Sequence, residues 1–146
     1  NYYVRDKDKV IYRRCKYVIE ENARVLQAGE DLKAGNLEAL GKKMFQTHQG
    51  LSEDFEVSCK ELDFLVAQVK DNPHVLGARL IGGGFGGCTI NIVKEEAIDN
   101  LTEQVSEAYK KALDLELDVY IAAIEQGTEL IKSKQHVYVP DVKKVI

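Results

Sequence analysis

Residues 82 to 87 read Gly82-Gly83-Gly84-Phe85-Gly86-Gly87, five glycines in six positions. Glycine loses more backbone freedom on folding than any other residue, so such density serves only where the chain needs positive φ or very close approach to another group. The chemistry open to a loop of this kind is contact with an anion or phosphate through exposed backbone N–H groups. A long hairpin turn is the plain structural alternative. Taken literally, Gly82-x-Gly84-x-x-Gly87 matches a dinucleotide-binding fingerprint, which requires a strand before it and a helix after it. Here Val75 to Ile81 suits a strand, and Cys88 to Val93 alternates as a second one. A strand on both sides excludes Rossmann-type binding. A Walker A loop fails as well, because no Gly-Lys-Ser/Thr closes the motif.

The phosphate loop of protein kinases shares the strand–loop–strand setting, but it needs a later strand lysine, a His-Arg-Asp loop and an Asp-Phe-Gly. Lys94 lies only seven residues past Gly87, and Asp63-Phe64-Leu65 precedes the loop and lacks the glycine. Arg79 is the one cation close to the loop in sequence. It is placed either to meet phosphate or to pair with an acid. Asp54, Glu56, Glu61 and Asp63 form an acidic stretch that could serve metal or general-base chemistry. The structural reading is preferred, with Glu61 capping a helix and the rest solvated. His48 falls on a helix, where an interface or hydrogen-bonded core role outweighs catalysis. His74 follows Pro73 in a turn and is expected to be exposed. Cys88 shares a strand face with Ile90 and Ile92 and is read as a small buried hydrophobe. Cys59 follows a helix cap, and nothing nearby marks it as a nucleophile.

These residues need elements to position them. Cys15, Val18, Ile19, Asn22, Leu26 and Gly29 recur at helical spacing over 14–34. Gly35-Asn36 then stops one helix and caps the next. Leu37, Leu40, Met44 and Leu51 mark one face of a second helix over 37–53. The short turn between them predicts antiparallel packing. Ser58-Cys59-Lys60-Glu61 has the form of a capping box. Leu62, Leu65, Val66 and Val69 follow at i, i+3, i+4 and i+7, and Asn72-Pro73 ends this third helix. After the two strands a helix is expected over 95–113, with Ala97, Leu101, Val105, Ala108 and Ala112 on one side. Leu117, Val119 and Ile121 alternate with Asp118 and Tyr120 as a third strand.

That order is most of a split β-α-β arrangement, the ferredoxin-like plan, with additional N-terminal helices. The expected class is α+β, with about four mostly antiparallel strands. The fourth strand is assigned to Val10-Ile11-Tyr12 or to the tail. The chain has 146 residues, 20 Lys+Arg and 24 Asp+Glu, a net charge of −4 and a pI near 5.4. This length suits one domain, read as residues 1–132 with a tail over 133–146 that can add a strand. An acidic balance argues against nucleic acid and membrane surfaces, which call for a concentrated basic face. Cys15, Cys59 and Cys88 lie 44 and 29 residues apart, form no C-x-x-C pair and do not cluster with His48, His74 and His136. A zinc site is not expected, and a reduced, cytoplasmic setting is. The start, Asn1-Tyr2-Tyr3, has neither an initiator methionine nor a signal-peptide pattern, and is read as the middle of a longer protein.

The segment Gly77-Ala78-Arg79-Leu80-Ile81-Gly82-Gly83-Gly84-Phe85-Gly86-Gly87-Cys88-Thr89 resembles the third conserved motif of galactokinases, within the GHMP kinase superfamily. His48-x-x-Leu51, continuing through Asp54-Phe55-Glu56-Val57-Ser58-Cys59-Lys60-Glu61-Leu62-Asp63, resembles the block just upstream in the same family. The second block separates galactokinases from other GHMP kinases. Phe55 stands where Tyr is usual, Lys60 where Pro is usual, and Leu80-Ile81 where Met-Thr or Met-Met is usual. The resemblance implies the GHMP kinase C-terminal fold. It implies a parent enzyme that transfers the γ-phosphoryl group of ATP to the C1 hydroxyl of α-D-galactose with Mg²⁺. It further implies that Gly82, Gly83, Gly84, Phe85, Gly86 and Gly87 lie near the phosphates and bind no metal. The catalytic Asp and Arg and the ATP loop then belong to a missing N-terminal lobe, the chain's expected partner. Gly50-Leu51-Ser52-Glu53 is the nearest approach to that ATP loop, and it sits in a helical pattern. No catalytic residue, firm cofactor binding or activity is expected of this chain alone. Two alternatives stay open: a GHMP kinase for another sugar or alcohol, and a non-catalytic ferredoxin-like module binding a small ligand at the glycine hairpin.

Overall fold

The computed structural model describes residues 8–122. Helix α1 (Lys9–Lys33) begins where the Asp8 carboxylate accepts the N–H groups of Val10 and Ile11 at 2.9 and 3.1 Å. This cap satisfies donors that a helix start leaves unpaired. It places Val10-Ile11-Tyr12 in the first turn of a helix, which overturns their assignment to a strand. Gly35, at φ 69°, reverses the chain. Asn36 then caps helix α2 (Leu37–Gln49) by accepting the Ala39 N–H at 3.1 Å, as its residue type predicts. The two helices run antiparallel, with Thr47 Oγ1 donating to Glu21 at 2.8 Å and Lys43 pairing with Asp31 at 2.5 Å.

The contact between α1 and α2 is more polar than the periodicity predicts. Val18, Ile19 and Leu26 are exposed, and the one buried residue of α1 is Tyr17. Its ring lies against Gly50, where a Cβ would collide with it, and 5.6 Å from the Phe55 ring. Burial, helped by the charge of Glu21, pushes the Tyr17 hydroxyl up to about 12. At Gly50 the second helix widens into one π-helical turn, Gly50–Asp54, which ends it.

Helix α3 (Lys60–Val69) buries Leu62, Leu65, Val66 and Val69, the four positions that the spacing marks. Its start differs from the expected capping box. Cys59 holds the cap position, and Ser58 instead donates to Asp63 Oδ1 at 2.6 Å. The Asn72 side chain accepts the His74 N–H at 2.9 Å, turning the chain around Pro73 into β1 (Val75–Ile81). Strand β1 pairs antiparallel with β2 (Cys88–Val93): Ile81 faces Cys88, Leu80 faces Thr89, and Arg79 faces Ile90. A 3₁₀ turn, Glu95–Ala97, leads into helix α4 (Ile98–Leu113).

Val66 and Val69 of α3, Val75 and Ala78 of β1, and Leu101 of α4 form the core cluster, joined by the half-buried Phe45, Val93 and Val105. Tyr109, which the alternation of small residues along α4 did not mark, is buried with its ring 6.0 Å from Phe64. Helix α2 comes so close to β1 that a Cβ on Gly41 would collide with the Leu76 carbonyl, and one on Gly77 with the Gly41 backbone. The α+β class with antiparallel strands is as expected. Among the described residues the sheet has two strands. Leu117, Val119 and Ile121 run without a ladder partner there: alternation supplies a face, and only a neighbouring backbone makes a strand. The tail strand proposed over 133–146 lies outside the described residues. Among these, no helix is long and apolar enough to cross a membrane.

Candidate functional site

The glycine loop joins β1 to β2, and its backbone explains its composition. Gly82, Gly84, Gly86 and Gly87 take φ of 80, 82, 137 and 95°, a region that side chains disfavour. Phe85 also adopts positive φ, 60°, and its side chain is 76% exposed. One flank of the loop is braced. The Phe85 N–H donates to the Val57 carbonyl at 2.7 Å, and a Cβ on Gly84 would strike that same oxygen. The other flank is open among the described residues, since a Cβ on Gly82, Gly83, Gly86 or Gly87 would meet none of their atoms within 4 Å. A backbone that is held on one side and bare on the other can approach a bulky anion closely.

The brace is the acidic connection between α2 and α3. Val57 N–H donates to Leu51 O at 2.9 Å, and Phe55 N–H to Gly50 O at 2.8 Å. Glu56 stands at φ 60° and is tied to α1 through Arg13 at 2.7 Å and Arg14 at 3.2 Å. Arg13, above all, holds the Glu56 carboxyl below its usual range, with Arg14 adding to it. Glu56 is exposed, as the sequence reading has it, and its two arginine pairs tie the loop's support to α1 at the surface. Glu61 hydrogen-bonds its own N–H and the Cys59 side chain, which keeps its carboxyl below the usual range.

His48 is buried and hydrogen-bonded, as its helix position predicts. Its Nδ1 accepts the Leu80 N–H at 3.2 Å, and its Nε2 lies 3.2 Å from Asp63 Oδ1. Burial pushes the imidazole below its ordinary value, and Asp63 partly offsets this. His74 is exposed. The Arg79 Nε donates to the Leu80 carbonyl at 3.0 Å, and the side chain lines a small cleft with Glu21, Arg24 and Lys43. It makes no ion pair among the described residues. Cys88 is exposed rather than buried, because no helix among the described residues covers its face of β2. Among the described residues no group of three or more His, Cys, Asp and Glu converges on a metal site. Sequence reasoning missed the use of Val57 as the loop's brace, since a backbone carbonyl leaves no trace in residue type.

Residues 28–111 match the family model of the GHMP kinases C terminal. The chain belongs to this family. Over 128 residues it is 45% identical to a galactokinase of Clostridium perfringens (strain SM101 / Type A), covering 87% of this chain and 33% of the relative. A galactokinase of Bacillus subtilis (strain 168) is 38% identical over 122 residues, 84% of this chain and 31% of that protein. The crystal structure of Lactococcus lactis galactokinase complexed with galactose superposes with a TM-score of 0.73 at 32% identity, covering 75% of this chain and 28% of that one. Mevalonate kinase of L. major, solved with R-mevalonate, gives a TM-score of 0.52 at 26% identity, over 72% of this chain and 34% of its own. Within its family the domain is therefore of the galactokinase kind. The chain spans about a third of the length of the curated relatives it matches.

Proposed function

We propose that this domain serves a galactokinase, a kinase that transfers the γ-phosphoryl group of ATP to the C1 hydroxyl of α-D-galactose. In this reading Gly82, Gly83, Gly84, Phe85, Gly86 and Gly87 line the cleft beside the triphosphate and the sugar. The observation that carries it is the loop's two-sidedness: positive-φ glycines braced on Val57 along one flank and bare backbone along the other. Phosphoryl transfer depends mainly on positioning and on stabilising spread negative charge, which backbone N–H groups can do without bulk. The bare flank fits a polyphosphate. Mg²⁺, when bound, would neutralise charge on the phosphates, with its ligands supplied by the lobe that precedes this domain. That N-terminal lobe is the domain's partner and brings the catalytic residues, so residues 1–132, the domain proper, are inactive alone. The three free cysteines, Cys15, Cys59 and Cys88, support a reduced, cytoplasmic setting.

The test is ADP release by the full polypeptide carrying this domain, with galactose, mevalonate and other small alcohols as acceptors, beside the 146-residue chain. Turnover with galactose by the former and none by the latter is expected. Turnover with a different acceptor alone would overturn the substrate, and activity of the isolated chain would overturn the division of labour. Gly84→Val places a Cβ on the Val57 carbonyl at a φ that valine disfavours, so it should lower turnover about 100-fold while the far-UV spectrum stays near native. Near-normal turnover in that variant counts against the loop.

A further inference from the structure

We propose that His48 is the positioning residue of the glycine loop, tying the loop's base and its tip to one imidazole–carboxylate pair. The base is Leu80, two residues before Gly82. Its N–H points away from β2 and finds its acceptor in His48 Nδ1 at 3.2 Å. The tip is Phe85, whose N–H donates to Val57 at 2.7 Å. The next residue, Ser58, donates through Oγ to Asp63 Oδ1 at 2.6 Å, the same oxygen that lies 3.2 Å from His48 Nε2. Ser52 Oγ holds the other carboxylate oxygen at 3.0 Å. The path from Leu80 through His48, Asp63 and Ser58 to Val57 and Phe85 therefore closes around the loop.

The chemistry of the ring fixes its protonation. An imidazole nitrogen that accepts from a backbone N–H carries no proton, so the proton of neutral His48 sits on Nε2 and is donated to Asp63. The His48 side chain is 8% exposed. Leu80 is buried too, so without the histidine its N–H would be an unpaired donor shut away from water, and the strand would have to shift to satisfy it. The value of holding the loop still rests on the proposed phosphate contact; the holding itself does not.

The test uses the ¹⁵N-labelled 146-residue chain without nucleotide, so its outcome is independent of ADP release. The His48 ring should show an unprotonated Nδ1 and a protonated Nε2. His48→Gln keeps a reach toward Asp63 and gives up the acceptor for Leu80. His48→Asn keeps that acceptor and gives up the reach. In the Gln variant the Leu80 amide should exchange about tenfold faster, and the Gly82, Gly83 and Gly84 signals should move. The Asn variant should restore Leu80 protection while the Val57–Phe85 side loosens. Tyr109 signals report that the core stays folded. If either variant does not fold, Asp63→Asn gives the same reading at Phe85. Loop signals that stay put in the folded variants, or a protonated Nδ1, would overturn the proposal.

Discussion

The two strands of the hairpin are alike in composition and opposite in burial. Strand β1 buries Val75, Gly77, Ala78 and Leu80, with Ala78 at 0% and Leu80 at 1% exposure. Strand β2 leaves Cys88, Ile90 and Asn91 exposed, Ile90 at 48%. Helix α2 closes on β1 through Gly41 and Gly77, and the α3 and α4 side chains cover its other face. Among the described residues nothing closes on the Ile90 face of β2. Apolar alternation thus names a face that can be buried, and packing partners decide whether it is. The glycine loop sits where these two regimes meet, one arm fixed by a buried strand and the other leaving on an exposed one.

Substitutions can break this contrast at several depths. Leu80→Ala removes a fully buried side chain and should cost roughly 2–5 kcal/mol, read as a lowered urea midpoint. A cost within the noise would mean that β1 is not the anchored strand. Gly41→Ala gains helix propensity, about 0.5–1 kcal/mol. The collision with the Leu76 backbone outweighs it, for a net loss of roughly 1–3 kcal/mol. A stabilised variant would show that α2 and β1 can separate freely.

Acid sharpens the contrast from the side of β1. Burial lowers the folded pKa of His48 below its ordinary 6.5, against the opposing pull of Asp63 and with Arg79 adding to the lowering. The unfolded chain then binds more protons than the folded one just below pH 6.5, so stability rises with pH across that window. The contribution is complete above 6.5 and falls away as the pH drops toward the folded pKa. Denaturant midpoints taken from pH 7.5 down to about 5 should decline, and His48→Gln should flatten that part of the decline. An equal slope in the variant assigns the effect elsewhere. The smallest change expected is Ile90→Thr, within about 0.5 kcal/mol, because the side chain is half out in water already. A large loss there would reveal a cover over β2.

Much of the fold is legible in residue types. The four apolar positions of α3 are buried where their spacing places them, Asn36 caps α2, and Asn72-Pro73 turns the chain into β1. Those signals are local, and local physics suffices for them. Other elements read in the wrong direction. Val10-Ile11-Tyr12 has strand-forming side chains, yet Asp8 captures the N–H groups that start a helix. Val18 and Leu26 of α1 share an apolar stripe that nothing among the described residues covers. Ser58 and Glu61 have capping-box spacing, and Asp63 takes the serine instead.

The sequence by itself determined that residues 82–87 form a backbone-driven loop between strands, because only positive φ or close approach can account for five glycines in six positions. It also determined the resemblance that the relatives bear out. Tertiary structure alone decided which flank of that loop is held and which is bare. The Val57 carbonyl, the Leu80 N–H and the Gly41–Gly77 approach are backbone groups that meet their partners 28, 32 and 36 residues away along the chain. Every residue except proline carries the same N–H, and all carry the same carbonyl, so no residue type announces such partners; only their meeting in space does.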